Sequence, residues 1–165
     1  MDTAYKTTLE LDKVLARAVQ LCACQETKEM MQALEPAPTV EDERYDLAQT
    51  NAINALLIKT GSPRFGSVRE VRRIVARARK GGILSMGELL EIAATLRNFS
   101  GLSQWYGLSE HEMLPTDDLF FALAPQPVLE KQIAESILSP EEMADTASVT
   151  LHDLRRKIRQ TEDSI

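Results

Sequence analysis

The chain has 165 residues, 44% of them apolar and 27% charged, with a net charge of −6; this suits a soluble globular protein long enough to bury a real core. Aromatics make up only 5%, so the core must come mainly from Leu, Ile, Val, Ala and Met, which favours helices over sheets. The acidic total argues against wholesale coating of nucleic acid, although one basic patch on an acidic protein can still bind phosphate.

In chain order, Leu11, Val14, Leu15, Ala18 and Cys22 follow helical spacing. The N-terminus MDTAYKTTLELDKV lacks a basic start followed by an apolar run, and no apolar stretch reaches membrane-spanning length, so a cytoplasmic chain without a membrane partner is expected. Cys22 and Cys24, taken as helical, point away from each other and are poorly placed for a disulfide or a shared metal. A short helix is expected over Thr27–Leu34, stopped by the prolines of EPAPT. Thr39 opens TVED, a capping-box-like start with Asp42 in the acidic position. The helix that follows runs to Gly61 with Tyr45, Ala48, Ala52, Ala55 and Leu56 on one face.

GSPRFGS is a loop by composition. From Arg64 to Lys80 seven cationic residues meet one glutamate, a local balance of +6 inside a chain of −6. Ser67 is expected to cap this basic helix, with Val68, Val71, Ile74, Val75 and Ala78 as its apolar stripe. Arg69, Arg73, Arg77 and Lys80 then form the opposite face, flanked by Arg72 and Arg79. Three uses of that face stay open: a solvated surface paired to the acidic remainder, a contact for successive phosphates, or a contact for an acidic protein. No aromatics are interleaved to stack bases.

Gly81 and Gly82 end the basic helix. Ser85 opens SMGE, an S-x-x-E capping box, and the next helix buries Leu89, Ile92, Ala93, Leu96 and Phe99. From Gly101, GLSQWYGLSEHEMLPTDD reads as a long connection. A short helix is expected from Asp117 or Asp118, and another over Val128–Ile137 between prolines and LSPEEMADTAS, which is either a capped helix or a turn. Leu151, Leu154, Ile158, Thr161 and Ile165 alternate at three and four residues, a coiled-coil-like seam with Arg155, Arg156, Lys157 and Arg159 off it. The sequence stops on that seam without a stop signal, so a longer helix is expected to continue it. The expected fold class is all-α.

Catalytic chemistry is hard to find. There are two histidines, His111 and His152, no HExxH, and no second cysteine pair to complete a zinc site. GSPRFGS lacks the Lys-Ser/Thr ending of a phosphate loop. Glu41-Asp42-Glu43, Asp117-Asp118 and Glu141-Glu142 sit where helix starts are expected, and there they favour the macrodipole. No catalytic residue, cofactor site or metal site is assigned to this chain.

Four blocks in order carry a resemblance: LELDKVLARA, LEPAPTVEDERYDLAQTNAINALL, RFGSVREVRRIVARARKGGILSMGELLEIAATLRN and DTASVTLHDLRRKIRQTEDSI. Together they resemble the N-terminus of the bacterial MutS-two family, MutS-related proteins that lack the mismatch-recognition domain. The resemblance covers nearly the whole chain and is weakest over Gly101–Gln132. Leu11 stands where the family often has an aromatic, and Val149-Thr150 follows Ala147-Ser148 where the family differs. The resemblance implies a helical core over residues 1–146 and the start of a lever helix over 147–165. It implies, for the full-length protein, an ATPase using ATP and magnesium after the levers and a C-terminal nuclease domain. It also implies a dimeric clamp acting on branched DNA, in suppression of recombination, or on ribosomal RNA in stalled ribosomes. On this reading Arg69, Arg72, Arg73, Arg77 and Lys80 are the candidate nucleic-acid or partner contacts. The competing reading is an independent helical adaptor for an acidic protein partner.

Overall fold

A computed structural model describes residues 8–64, 66, 69–108 and 111–163. Ser67, Val68 and Ile165, expected to cap the basic helix, join its stripe and end the seam, lie outside the described residues. Among the described residues the fold is predominantly α, with one small hairpin over residues 137–143.

Helices α1 (Leu11–Leu21) and α2 (Gln25–Gln32) pack on each other. Cys22 and Cys24 do not share a helix as expected. Both have extended backbone in the bend between α1 and α2, and both are free thiols. Helix α3 (Val40–Thr60) starts as anticipated: the Asp42 backbone N–H donates to Thr39 Oγ1 at 3.1 Å, and three acidic residues fill the first turn, where the macrodipole favours them. Gly61, at φ 75°, ends it. Its inner face is rotated from the expected one. Ile53, Leu56 and Leu57 meet the core, whereas Tyr45 and Ala55 are exposed.

Helix α4 (Arg72–Arg79) is followed by a Schellman turn, in which Gly82 N–H donates to Arg77 O at 3.0 Å and Gly81 N–H to Ala78 O at 2.9 Å. The two glycines do different jobs. Gly81 sits at φ 79°, and a Cβ on Gly82 would come within 2.6 Å of Arg77 Cγ. Helix α5 (Met86–Gly107) then begins with a complete capping box between Ser85 and Glu88.

The expected connection from Gly101 is a correction: α5 continues through it to Gly107. A helical glycine costs only about 1 kcal/mol relative to alanine, and the burial of Trp105 and Tyr106 in this last turn overrides that. Both rings pack with Leu56 of α3 and with Phe120 of α6 (Asp117–Phe121); Tyr106 stacks flat on Phe120 with centroids 3.8 Å apart. The polar rim of this cluster is satisfied. Trp105 Nε1 donates to Gly61 O at 2.9 Å, and the Tyr106 hydroxyl donates to Asp117 Oδ1 at 2.7 Å while lying 2.8 Å from Thr116 Oγ1. Thr116 is completely buried. Burial first, then the neighbouring Asp117, pushes the Tyr106 hydroxyl's pKa up.

A second core lies at the other end of α5. Ala93 packs with Ile133 of α7 (Pro127–Ser136) and with Ile137, backed by Leu89 and Leu90. Pro127 starts α7, where its missing N–H costs nothing, and Arg97 Nε donates to Glu130 Oε1 at 2.9 Å across the two helices. The undecided LSPEEMADTAS becomes an antiparallel hairpin, β1 (Ile137–Ser139) with β2 (Glu142–Met143), followed by a 3₁₀ turn at Asp145–Ala147. Glu141-Glu142 therefore mark a hairpin and not a helix start. Ser148 caps α8 (Val149–Glu162), accepting from Leu151 N–H at 3.1 Å. Among the described residues, no helix is long and apolar enough to cross a membrane.

Candidate functional site

The nominated basic face is only partly assembled. Helix α4 begins at Arg72, so Arg69 precedes it and cannot continue a helical row with Arg73 and Arg77. The local chemistry explains the late start. Val71 at the N-cap makes no side-chain bond, and Arg72 and Arg73 place cations at the positive end of the helix dipole. Ile74 is buried as expected, but Val75 and Ala78 face solvent.

Carboxylates already engage three of the nominated arginines. Arg72 lies 3.7 Å from Glu26 of α2, and Arg73 lies 3.8 Å from Glu70, with both guanidinium groups well exposed. Arg77 is held closely by Glu88, the residue that closes the capping box of α5. The Ser85 backbone N–H and, next, the Arg77 guanidinium hold the Glu88 carboxyl below its usual range. Arg77 is thus a fastening between α4 and α5. Arg69 and Lys80, together with Arg79, are exposed and have no ion-pair partner among the described residues.

A tighter constellation joins the 3₁₀ turn to the middle and last turn of α8, and sequence reasoning missed it. Both oxygens of Asp145 are occupied: Arg155 Nη1 donates to Oδ1 at 2.5 Å and Arg159 Nη2 donates to Oδ2 at 2.5 Å. Arg155 Nη1 also donates to the Met143 carbonyl at 2.8 Å. One guanidinium therefore binds the hairpin backbone and the 3₁₀ turn together. Arg155 and Arg159 are four residues apart and share one face of α8, so a single carboxylate spans a full turn of the helix. Arg155 first, then Arg159, holds the Asp145 carboxyl below the usual carboxylate range.

The two arginines were correctly read as off the seam. Their partner was hidden because only the hairpin at 137–143 folds the chain back and sets Asp145 against the helix. The seam itself is open: Leu154 and Ile158 are 53% and 56% exposed. Helix α8 is thus tied to the core by charge and leaves an apolar edge uncovered.

No family model matches the chain, and no solved structure matches it. Curated relatives do. The chain is 32% identical over 167 residues to the Endonuclease MutS2 of Ruminiclostridium cellulolyticum, covering 100% of this chain and 21% of that protein. It is 29% identical over 159 residues to the Endonuclease MutS2 of Clostridium beijerinckii, covering 95% and 20%. To the Endonuclease MutS2 of Lachnospira eligens it is 29% identical over 165 residues, covering 100% and 21%. The chain spans about one fifth of the length of these relatives.

Proposed function

Because the chain is a homologue of the MutS2 endonucleases along nearly its whole length, we propose that it is the non-catalytic core and lever junction of a MutS2-like protein. Residues 1–146 act as the core and residues 147–165 as the start of the lever. The observation that carries this reading is the Asp145 clamp, which fixes the middle and last turns of α8 to the hairpin and the 3₁₀ turn through two arginines and a backbone carbonyl. A helix held this way passes displacement of its far end to the core instead of bending at its root. In the longer protein that displacement comes from ATP hydrolysis elsewhere, and the protein works as a dimeric clamp on branched DNA or on ribosomal RNA in stalled ribosomes.

This chain's own residues do not fit ATP and magnesium. The sequence has no G-x-x-x-x-G-K-[ST] loop, and among the described residues no three His, Cys, Asp or Glu side chains converge. Nucleotide and metal belong to other parts of the longer protein on this reading. In that protein, Asp145→Ala is expected to leave basal ATP hydrolysis intact while lowering its stimulation by branched DNA. Unchanged stimulation would count against the junction reading.

Phosphate contact is a second reading, favoured by the exposed Arg69, Arg79 and Lys80, which no carboxylate occupies among the described residues. Changing these three to Glu should lower nucleic-acid affinity and flatten its salt dependence. If the triple variant binds normally, the basic segment is not the phosphate contact. Binding to an acidic protein that survives competition by a polyanion would favour the adaptor reading instead.

A further inference from the structure

A groove of about 1050 Å³ runs between α1 and α3, closed at one end by Leu119 of α6. Four aliphatic side chains along it are more than half exposed: Leu34 at 52%, Val40 at 62%, Leu47 at 54% and Leu119 at 57%. Leu11 and Leu15, one turn apart on α1, form the opposite wall, and Ile53 lies at the far end of α3's contribution. A surface of this kind is costly to leave in water.

The groove has a direction and a charge. Val40, Glu43, Leu47 and Thr50 line it at spacings of three and four, so it follows one stripe of α3. From Thr39 to Ile53 that stripe extends roughly 21 Å at 1.5 Å per residue. This is the length of a short helix, and far longer than a compact small molecule needs. Among the described residues that line it, the ionisable ones, Glu35, Glu43 and Asp46, are all acidic.

We propose that this groove docks a cationic amphipathic helix from a partner protein. Its apolar stripe lies between α1 and α3, and its flanking lysines or arginines meet the acidic rim. Shape and apolar area supply the seat, and the rim selects the sign of charge. The inference is independent of the lever reading, because neither Asp145 nor any described residue of α8 lines the groove.

The test is a titration of the chain into two fluorescent peptides of on the order of 16 residues, long enough to span the groove. One carries leucines at helical spacing with lysines elsewhere; in the other, every lysine is replaced by glutamate. Saturable binding of the lysine peptide alone is expected, weakened about fivefold or more by Asp46→Lys and unaffected by the charge-matched Glu142→Lys outside the groove. Leu47→Gln, at an exposed position that does not threaten folding, is expected to weaken binding without changing the net charge. Equal loss in Asp46→Lys and Glu142→Lys would reduce the effect to net charge and overturn the proposal. So would binding of both peptides alike, or no binding of either. Concentration-dependent dimers of the chain alone that Asp46→Lys abolishes would assign the groove to a second copy and overturn the partner.

Discussion

Two regions of this molecule are fastened by different physics. The end of α5 is held by burial: Trp105 and Tyr106 pack against Leu56 and Phe120, and their polar atoms find partners within the cluster. Helix α8 is held by charge at its middle and last turn, through a carboxylate that is open enough for salt and acid to reach it. Burial makes a joint that fails only when the domain unfolds. A joint made of exposed charges can open alone while the core stays folded. That difference suits the proposed core and lever.

The largest expected effect breaks the buried joint. Trp105→Ala should cost about 3–5 kcal/mol, the usual penalty for emptying an aromatic site in a core, and lower the denaturation midpoint seen by every probe. A loss confined to one helix would mean that the corner is not part of the cooperative core. Breaking the charged joint should look different. Asp145→Ala should release amide protection across α8 with little change elsewhere, because a free helix of this length is marginal in water. Raised salt should act in the same direction on α8 and leave the Trp105 corner intact. A smaller effect sharpens the contrast. Ser85→Ala should cost about 1 kcal/mol by removing a helix cap, measured as a shift in urea midpoint. Arg77→Gln, whose exposed ion pair duplicates what the cap and the Schellman turn already provide, should shift the midpoint less than Ser85→Ala.

That last comparison shows what makes the Asp145 pair distinctive. Arg77–Glu88 and Arg155–Asp145 are the same chemistry, yet the first joins elements already locked by backbone geometry, and the second joins elements that are not. Local signals were legible in the sequence for this reason: Thr39, Ser85 and Gly81-Gly82 act within one turn of where they stand, and their patterns name them. Where tertiary burial decided the outcome, the sequence misled. Gly101 and Gly107 look like breakers until Trp105 and Tyr106 are seen to bury the turn they share. Arg155 and Arg159 were visible as a helix face, but their partner needed a hairpin over residues 137–143, whose Ser139-Pro140 suits a capped helix start as well as a turn. The basic row failed at Arg69 because charge density says nothing about where a helix without a cap begins.

The most direct test of the clamp is the distance between spin labels on the exposed faces of α5 and α8, followed against pH. The folded-state pKa of Asp145 is depressed, so its contribution is present above the unfolded value of about 3.9 and is lost as pH falls through the lower folded value. A single narrow distance is expected from neutral pH down to about 4, broadening only below it, with Asp145→Ala broad throughout. A narrow distance in Asp145→Ala at neutral pH would show that α8 is fixed by something other than this carboxylate, and would contradict the account.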